Sequence, residues 1–104
     1  MIRVLLRRRV RPGNYQRTIG LLRDLRAAAL HQPGYMTGET MVRGQDPIEV
    51  LVISTWLSEE YWKAWSTSQE RIELEDMISP LLEDASEATV YQMPTDEGLR
   101  TNWK

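Results

Sequence analysis

The segment from Ile48 to Leu57 is apolar on both sides of an extended chain, and few small folds accommodate that. Side chains alternate across a strand, so Ile48, Val50, Val52 and Trp56 face one way while Leu51, Ile53 and Leu57 face the other. Both faces therefore need a covering layer. A chain of 104 residues supplies one domain with one hydrophobic core. Two helices on a small sheet cover one face, and no sequence remains for a third layer. The sheet of a second copy is then expected on the other face, which predicts a homodimer.

The other elements fall into place around this strand. Ile2 to Val10 reads as a strand with Ile2, Val4, Leu6 and Val10 on one side and Arg3, Leu5, Arg7 and Arg9 on the other. Arg8 breaks the pattern by falling on the apolar side, and near a strand end such a residue is expected to snorkel to solvent. Pro12-Gly13 ends the strand, and Asn14 is a candidate N-cap for a helix reaching about Leu30, with Tyr15, Ile19, Leu22, Leu25 and Ala29 as its buried stripe. Gly20 inside that helix suggests a close backbone contact. Gln32-Pro33-Gly34 stops the helix, Tyr35 to Arg43 gives a second strand, and Gly44-Gln45-Asp46-Pro47 reads as a turn.

After the third strand, Ser58 caps a helix whose first turn carries Glu59 and Glu60. Thr67-Ser68-Gln69-Glu70 has the form of a capping box, so the helix is expected to break and restart there. Leu74, Met77, Ile78, Leu81 and Leu82 form the next helical stripe, which Pro80 should kink or end. Ala85 to Met93 reads as a fourth strand. Residues 1–93 thus form the domain, and 94–104 a polar tail relieved only by Leu99 and Trp103. The order strand, helix, strand, strand, helix, strand predicts a ferredoxin-like α+β unit: a four-stranded antiparallel sheet with the helices on one face.

Composition narrows the function classes. The formal net charge is -2, which argues against nucleic-acid binding despite the run Arg7-Arg8-Arg9. Cysteine is absent and His31 is the single histidine, so disulfides, a thiolate nucleophile and a histidine- or cysteine-based metal cage are not expected. The short apolar pieces are broken by arginines, and neither a signal peptide nor a membrane span is expected. A cytoplasmic protein without a membrane partner follows as the expectation.

Three of the four tryptophans lie at one strand-to-helix junction, Trp56 closing the strand and Trp62 and Trp65 sharing a helix face. Such indoles serve either as core or as walls of a pocket for a flat organic ligand. His31, at the end of the first helix, is placed where the helix dipole favours an imidazolium.

Together these pieces resemble the antibiotic biosynthesis monooxygenase domain, a family of dimeric α+β barrels. The resemblance runs from Ile2 to about Met93. It rests on Pro12-Gly13, His31-Gln32-Pro33-Gly34-Tyr35, Asp46-Pro47, Ser54-Thr55-Trp56-Leu57-Ser58, and then Trp62-Lys63-Ala64-Trp65 with Ser68. It implies a pocket between the sheet and helices of each monomer, with Trp65 at the place of a functional tryptophan. Known enzymes of the family include cofactor-independent oxygenases that turn phenols or hydroquinones into quinones, and a separate haem-degrading branch. The haem branch needs a histidine ten residues beyond that tryptophan, where this chain has Glu75, and a first-strand asparagine, where it has Leu6. No cofactor is therefore expected.

On the oxygenase reading the partners are a small aromatic or quinol-like molecule and molecular oxygen. Trp65 and His31 are the candidate catalytic residues, and Trp62, Tyr35 and Arg8 the candidate substrate-binding ones. Either His31 or an arginine such as Arg8 would assist deprotonation or stabilise a phenolate. The alternative is a non-catalytic dimer that binds a small apolar ligand in regulation or stress protection.

Overall fold

Alternation in the first strand decides which side of the sheet becomes core. In β1 (Ile2–Val10), Ile2, Val4, Leu6, Arg8 and Val10 are buried while Arg3, Arg7 and Arg9 are exposed. The structure is a computed structural model that describes residues 1–45 and 47–94. The elements that follow are α1 (Tyr15–Ala29), β2 (Tyr35–Arg43), β3 (Ile48–Trp56), α2 (Glu59–Ser66), α3 (Gln69–Ile78), a 3-10 turn (Ser79–Leu81) and β4 (Glu87–Gln92). The strands form one antiparallel sheet in the order β2-β3-β1-β4. This is the ferredoxin-like α+β arrangement that the element order predicts.

The expected helix break after α2 is present, with its cap shifted by one residue. Ser68, and not Thr67, is the N-cap of α3, and its Oγ accepts from the Arg71 backbone N–H at 3.3 Å. Thr67 instead turns its hydroxyl back to donate to the Lys63 carbonyl at 2.9 Å. Asn14 and Ser58 occupy cap positions without a side-chain hydrogen bond. The buried stripe of α1 is Thr18, Leu22, Leu25 and Ala29, flanked by Tyr15 and Ile19. Thr18 is tolerated in the core because its hydroxyl donates to the Asn14 carbonyl at 2.8 Å. Gly20 faces open space, so no close approach explains it.

Two other glycines have clear roles. Gly34, at φ +81°, sits where a Cβ would run into the Tyr61 ring, so the turn from α1 into β2 packs directly on α2. At Gly38 a Cβ would strike the Tyr35 hydroxyl, which lies flat across the β2 backbone. The first contact seats the turn before β2 on α2, and the second holds the Tyr35 ring against its own strand.

The core lies between the sheet and the helices. It joins Ile2, Val4, Leu6 and Val10 of β1 and Val50 and Trp56 of β3 to Leu22, Leu25, Trp62, Trp65, Ile78 and Leu82. On the opposite face, Leu51 and Ile53 are half-buried, Met41 and Tyr91 are exposed, and no layer covers them among the described residues. Arg7 and Arg43 approach Glu49 there at 3.8 and 3.5 Å, and Arg9 reaches Asp84 at 2.5 Å. Among the described residues no helix is long and apolar enough to cross a membrane. Asp46 of the expected turn and the tail from Thr95, with Leu99 and Trp103, lie outside the described residues.

Candidate functional site

Small and shallowly packed positions on the inner sheet face leave space that the helices do not fill. Gly38 and Thr40 of β2 and Val52 and Ser54 of β3 form the floor of a cleft, with Leu6 and Arg8 of β1 beside them. Leu22, Leu25 and Ala29 of α1 close one side, and Trp62 and Trp65 of α2 with Arg71 of α3 close the other. The enclosed volume is about 70 Å³, and the cleft opens to solvent beyond Arg26 and Glu39.

The aromatic wall is a chain of edge-to-face contacts. Tyr35 meets Trp56 with ring centroids 5.2 Å apart and planes at 85°, and Trp56 meets Trp62 at 5.8 Å and 64°. Such geometry places the positive edge of one ring on the negative face of the next. Trp56 is fully buried, and its Nε1–H donates to Ser54 Oγ at 3.0 Å. It anchors the wall as core, and Trp62 and Trp65, also largely buried, line the cleft beside it. Arg71 lies over Trp62 with Cζ 5.1 Å from the ring centroid, a cation-π contact.

Arg8 does not snorkel. It is 1% exposed, because β1 runs on past it to Val10 in the middle of the sheet, and α3 supplies a carboxylate within reach. An Nη2–H of Arg8 donates to Glu75 Oε1, which also lies 3.5 Å from Arg71 Nη2. Two guanidinium groups thus share one carboxylate, leaving a net positive charge beside the tryptophans. Burial holds the pKa of Arg8 below its usual value, against the pull of Glu75. Arg71 is lowered in the same way and for the same reason. Arg8 Nε is buried and has no hydrogen-bond partner among the described residues.

Of the residues singled out in the sequence, Arg8, Tyr35, Trp62 and Trp65 meet at this cleft. His31 does not. It is exposed in the turn after α1, and its backbone N–H donates to the Ala28 carbonyl at 3.3 Å while the chain turns away. Arg71 and the bridging role of Glu75 are absent from the sequence reading, although their i,i+4 spacing on a weakly apolar helix was a signal. At the position where haem binding would call for an imidazole, Glu75 is engaged by two arginines, so these residues do not fit haem. No group of three or more metal-binding side chains forms among the described residues.

A sequence model described as antibiotic biosynthesis monooxygenase matches residues 1–74. The chain belongs to that family. No curated protein matches it by sequence. Among solved structures, a conserved protein from Methanosarcina mazei Go1 is similar with a TM-score of 0.82 and 20% identity, covering 89% of this chain and 92% of that one. An antibiotic biosynthesis monooxygenase superposes with a TM-score of 0.81 at 15% identity, covering 91% and 100%. SnoaB from Streptomyces nogalater, a cofactor-independent oxygenase, gives 0.77 at 12% identity, covering 90% and 94%. At such identities these likenesses establish the shared monooxygenase-family fold, and activity has to be argued from the cleft.

Proposed function

We propose that this family member is a cofactor-independent oxygenase acting on a small electron-rich phenol or quinol. The observation that carries the reading is the cleft itself: indoles of Trp62 and Trp65 beside an excess of guanidinium charge at Arg8 and Arg71. An aromatic ring stacks on the indoles, and the positive charge favours its ionised form, lowering the pKa of a bound hydroxyl. A phenolate is electron-rich enough to pass an electron to oxygen. When a ring C–H carbon of a phenol such as a naphthol becomes a carbonyl, the C–H and O–H hydrogens are lost, one oxygen atom of O2 is retained and the other leaves as water. A hydroquinone instead passes two hydrogens to O2 and gives a quinone and hydrogen peroxide, and neither reaction needs an external reductant. The chain's residues bind and orient the ring, hold its negative charge and shield the radical pair from solvent. In this scheme the Trp65 Nε1–H donates to the oxygen on which charge develops, and Tyr35 is a wall. His31, exposed and outside the cleft lining, has no part in this scheme.

The test is oxygen uptake with a panel of naphthols and hydroquinones, without added metal or flavin. Uptake is expected from the wild type, and Trp65→Phe, which keeps a ring but deletes the donor, should lower turnover by roughly 100-fold with the melting temperature nearly kept. Unchanged turnover in a folded variant would reduce Trp65 to packing.

One observation favours a second reading, a non-catalytic ligand-binding protein. The enclosed space of about 70 Å³ is smaller than the roughly 150 Å³ that houses benzene in an engineered cavity. A ligand must displace side chains or sit partly in the open cleft, and the lining lacks a histidine base. Absence of uptake across the panel, with measurable binding, would select this reading. In either case the protein is proposed to act as a homodimer through the open sheet face, argued from Leu51 and Ile53.

A further inference from the structure

Arg8 is more costly than a structural ion pair requires. It lies on the apolar face of a central strand, its side chain 1% exposed, where a leucine or valine would pack without charge. One carboxylate, Glu75, answers both Arg8 and Arg71, and Arg8 Nε–H still has no acceptor among the described residues. A buried donor without a partner is unfavourable, and a positive charge without a counter-charge more so. Both deficits are met at once by a ligand that brings an anionic oxygen into the cleft that Arg8 lines and displaces the side chains that bury its Nε.

We propose that the cleft takes its aromatic ligand as a carboxylate, with one carboxylate oxygen on Arg8 Nε and the ring against Trp62 and Trp65. This rests on the cleft being the ligand site, as argued above, and not on the oxygenation step. A phenol alone fits the anchor less well, since an ordinary phenol is ionised only near pH 10 and arrives neutral. A carboxylate is ionised at neutral pH and needs no base, and the buried titratable group of the cleft lining is Arg8, with Arg71 and Tyr35 half-buried and Arg26 and Glu39 at the exposed mouth. Guanidinium groups favour carboxylates over other anions of similar size because their N–H directions match the planar oxygens. The count leaves a place for a monoanion: the guanidinium groups of Arg8, Arg26 and Arg71 less the carboxylates of Glu39 and Glu75 leave one positive charge.

The experiment compares benzoate with benzamide, a neutral ligand of the same shape that oxygen does not attack. Binding is followed by tryptophan fluorescence and calorimetry at neutral pH on the full chain. The wild type should bind benzoate at least about tenfold more tightly than benzamide, in line with the strength of a charge-assisted hydrogen bond. Arg8→Gln should erase that preference. Because Arg8→Gln can also disturb folding, Glu75→Gln serves as a second arm: it keeps an acceptor for Arg8 but removes the competing charge. Benzoate should then bind several-fold more tightly, and the dianion phthalate should gain more than benzoate does. Equal affinity for benzoate and benzamide in the wild type, or weaker benzoate binding in Glu75→Gln, would overturn the proposal. Neutral naphthols oxidised by a protein without benzoate preference would remove this inference and leave the oxygenase reading standing; benzoate preference without oxygen uptake would do the reverse.

Discussion

A guanidinium on the apolar face of a strand needs a carboxylate within reach, and Glu75 fills that part for Arg8. Glu75→Ala should therefore cost about 3 kcal/mol in urea unfolding, far more than an exposed pair, because it leaves a buried cation facing Arg71 alone. Trp56→Ala belongs to the same scale and should cost about 3–5 kcal/mol, since it opens a cavity beneath both Tyr35 and Trp62. The exposed pair behaves differently. The Arg9 guanidinium holds the Asp84 carboxyl below its usual value through a direct hydrogen bond, and both side chains are half in solvent. A carboxyl whose folded pKa is depressed adds stability above its unfolded pKa and loses it as pH falls through the folded value. Asp84→Asn should lower the melting temperature slightly at pH 7, and the gap should close as the melts are repeated toward pH 3. Sequence marked Arg8 as an anomaly but sent it to solvent, because its position relative to the sheet depends on Glu75, far along the chain.

Helix ends were largely legible, and the errors among them are local. Thr67 and Ser68 both qualify as caps by residue type, and only the backbone decides that Ser68 receives the Arg71 N–H. Ser68→Ala should therefore cost about 1 kcal/mol, and Thr67→Ala and Ser58→Ala less, by thermal melts. The glycines divide in the same manner. Gly20→Ala should stabilise the protein by up to about 1 kcal/mol, because α1 meets nothing there and alanine favours the helix. Gly34→Ala should destabilise it, since φ +81° and the Tyr61 ring both exclude a Cβ. Strand positions and the buried face of β1 followed directly from alternation, which is a property of the chain itself. The Arg8–Glu75–Arg71 bridge and the placement of His31 outside the cleft lining were not legible, since both depend on how α1 and α3 lie over the sheet.

At the scale of the molecule, the sheet face around Leu51 and Ile53, uncovered among the described residues, is the main unfinished business of the fold. If a second copy covers it, light scattering after gel filtration should return twice the chain mass, and Ile53→Arg at its centre should return the monomer with the helices intact by circular dichroism. A monomeric wild type would defeat that expectation. The sheet order carries a further consequence, for the way the chain comes into being. β1 is made first, yet one of its two partners is β4, with Ile2 opposite Gln92. Until β4 has left the ribosome, this central strand has a free hydrogen-bonding edge, the situation in which neighbouring chains join by mistake. Arg3, Arg7 and Arg9 project from one face of that strand, with Leu5 among them. Their mutual repulsion between nascent copies acts as a guard, and replacing them with threonine should increase aggregation during synthesis well before it changes the finished fold.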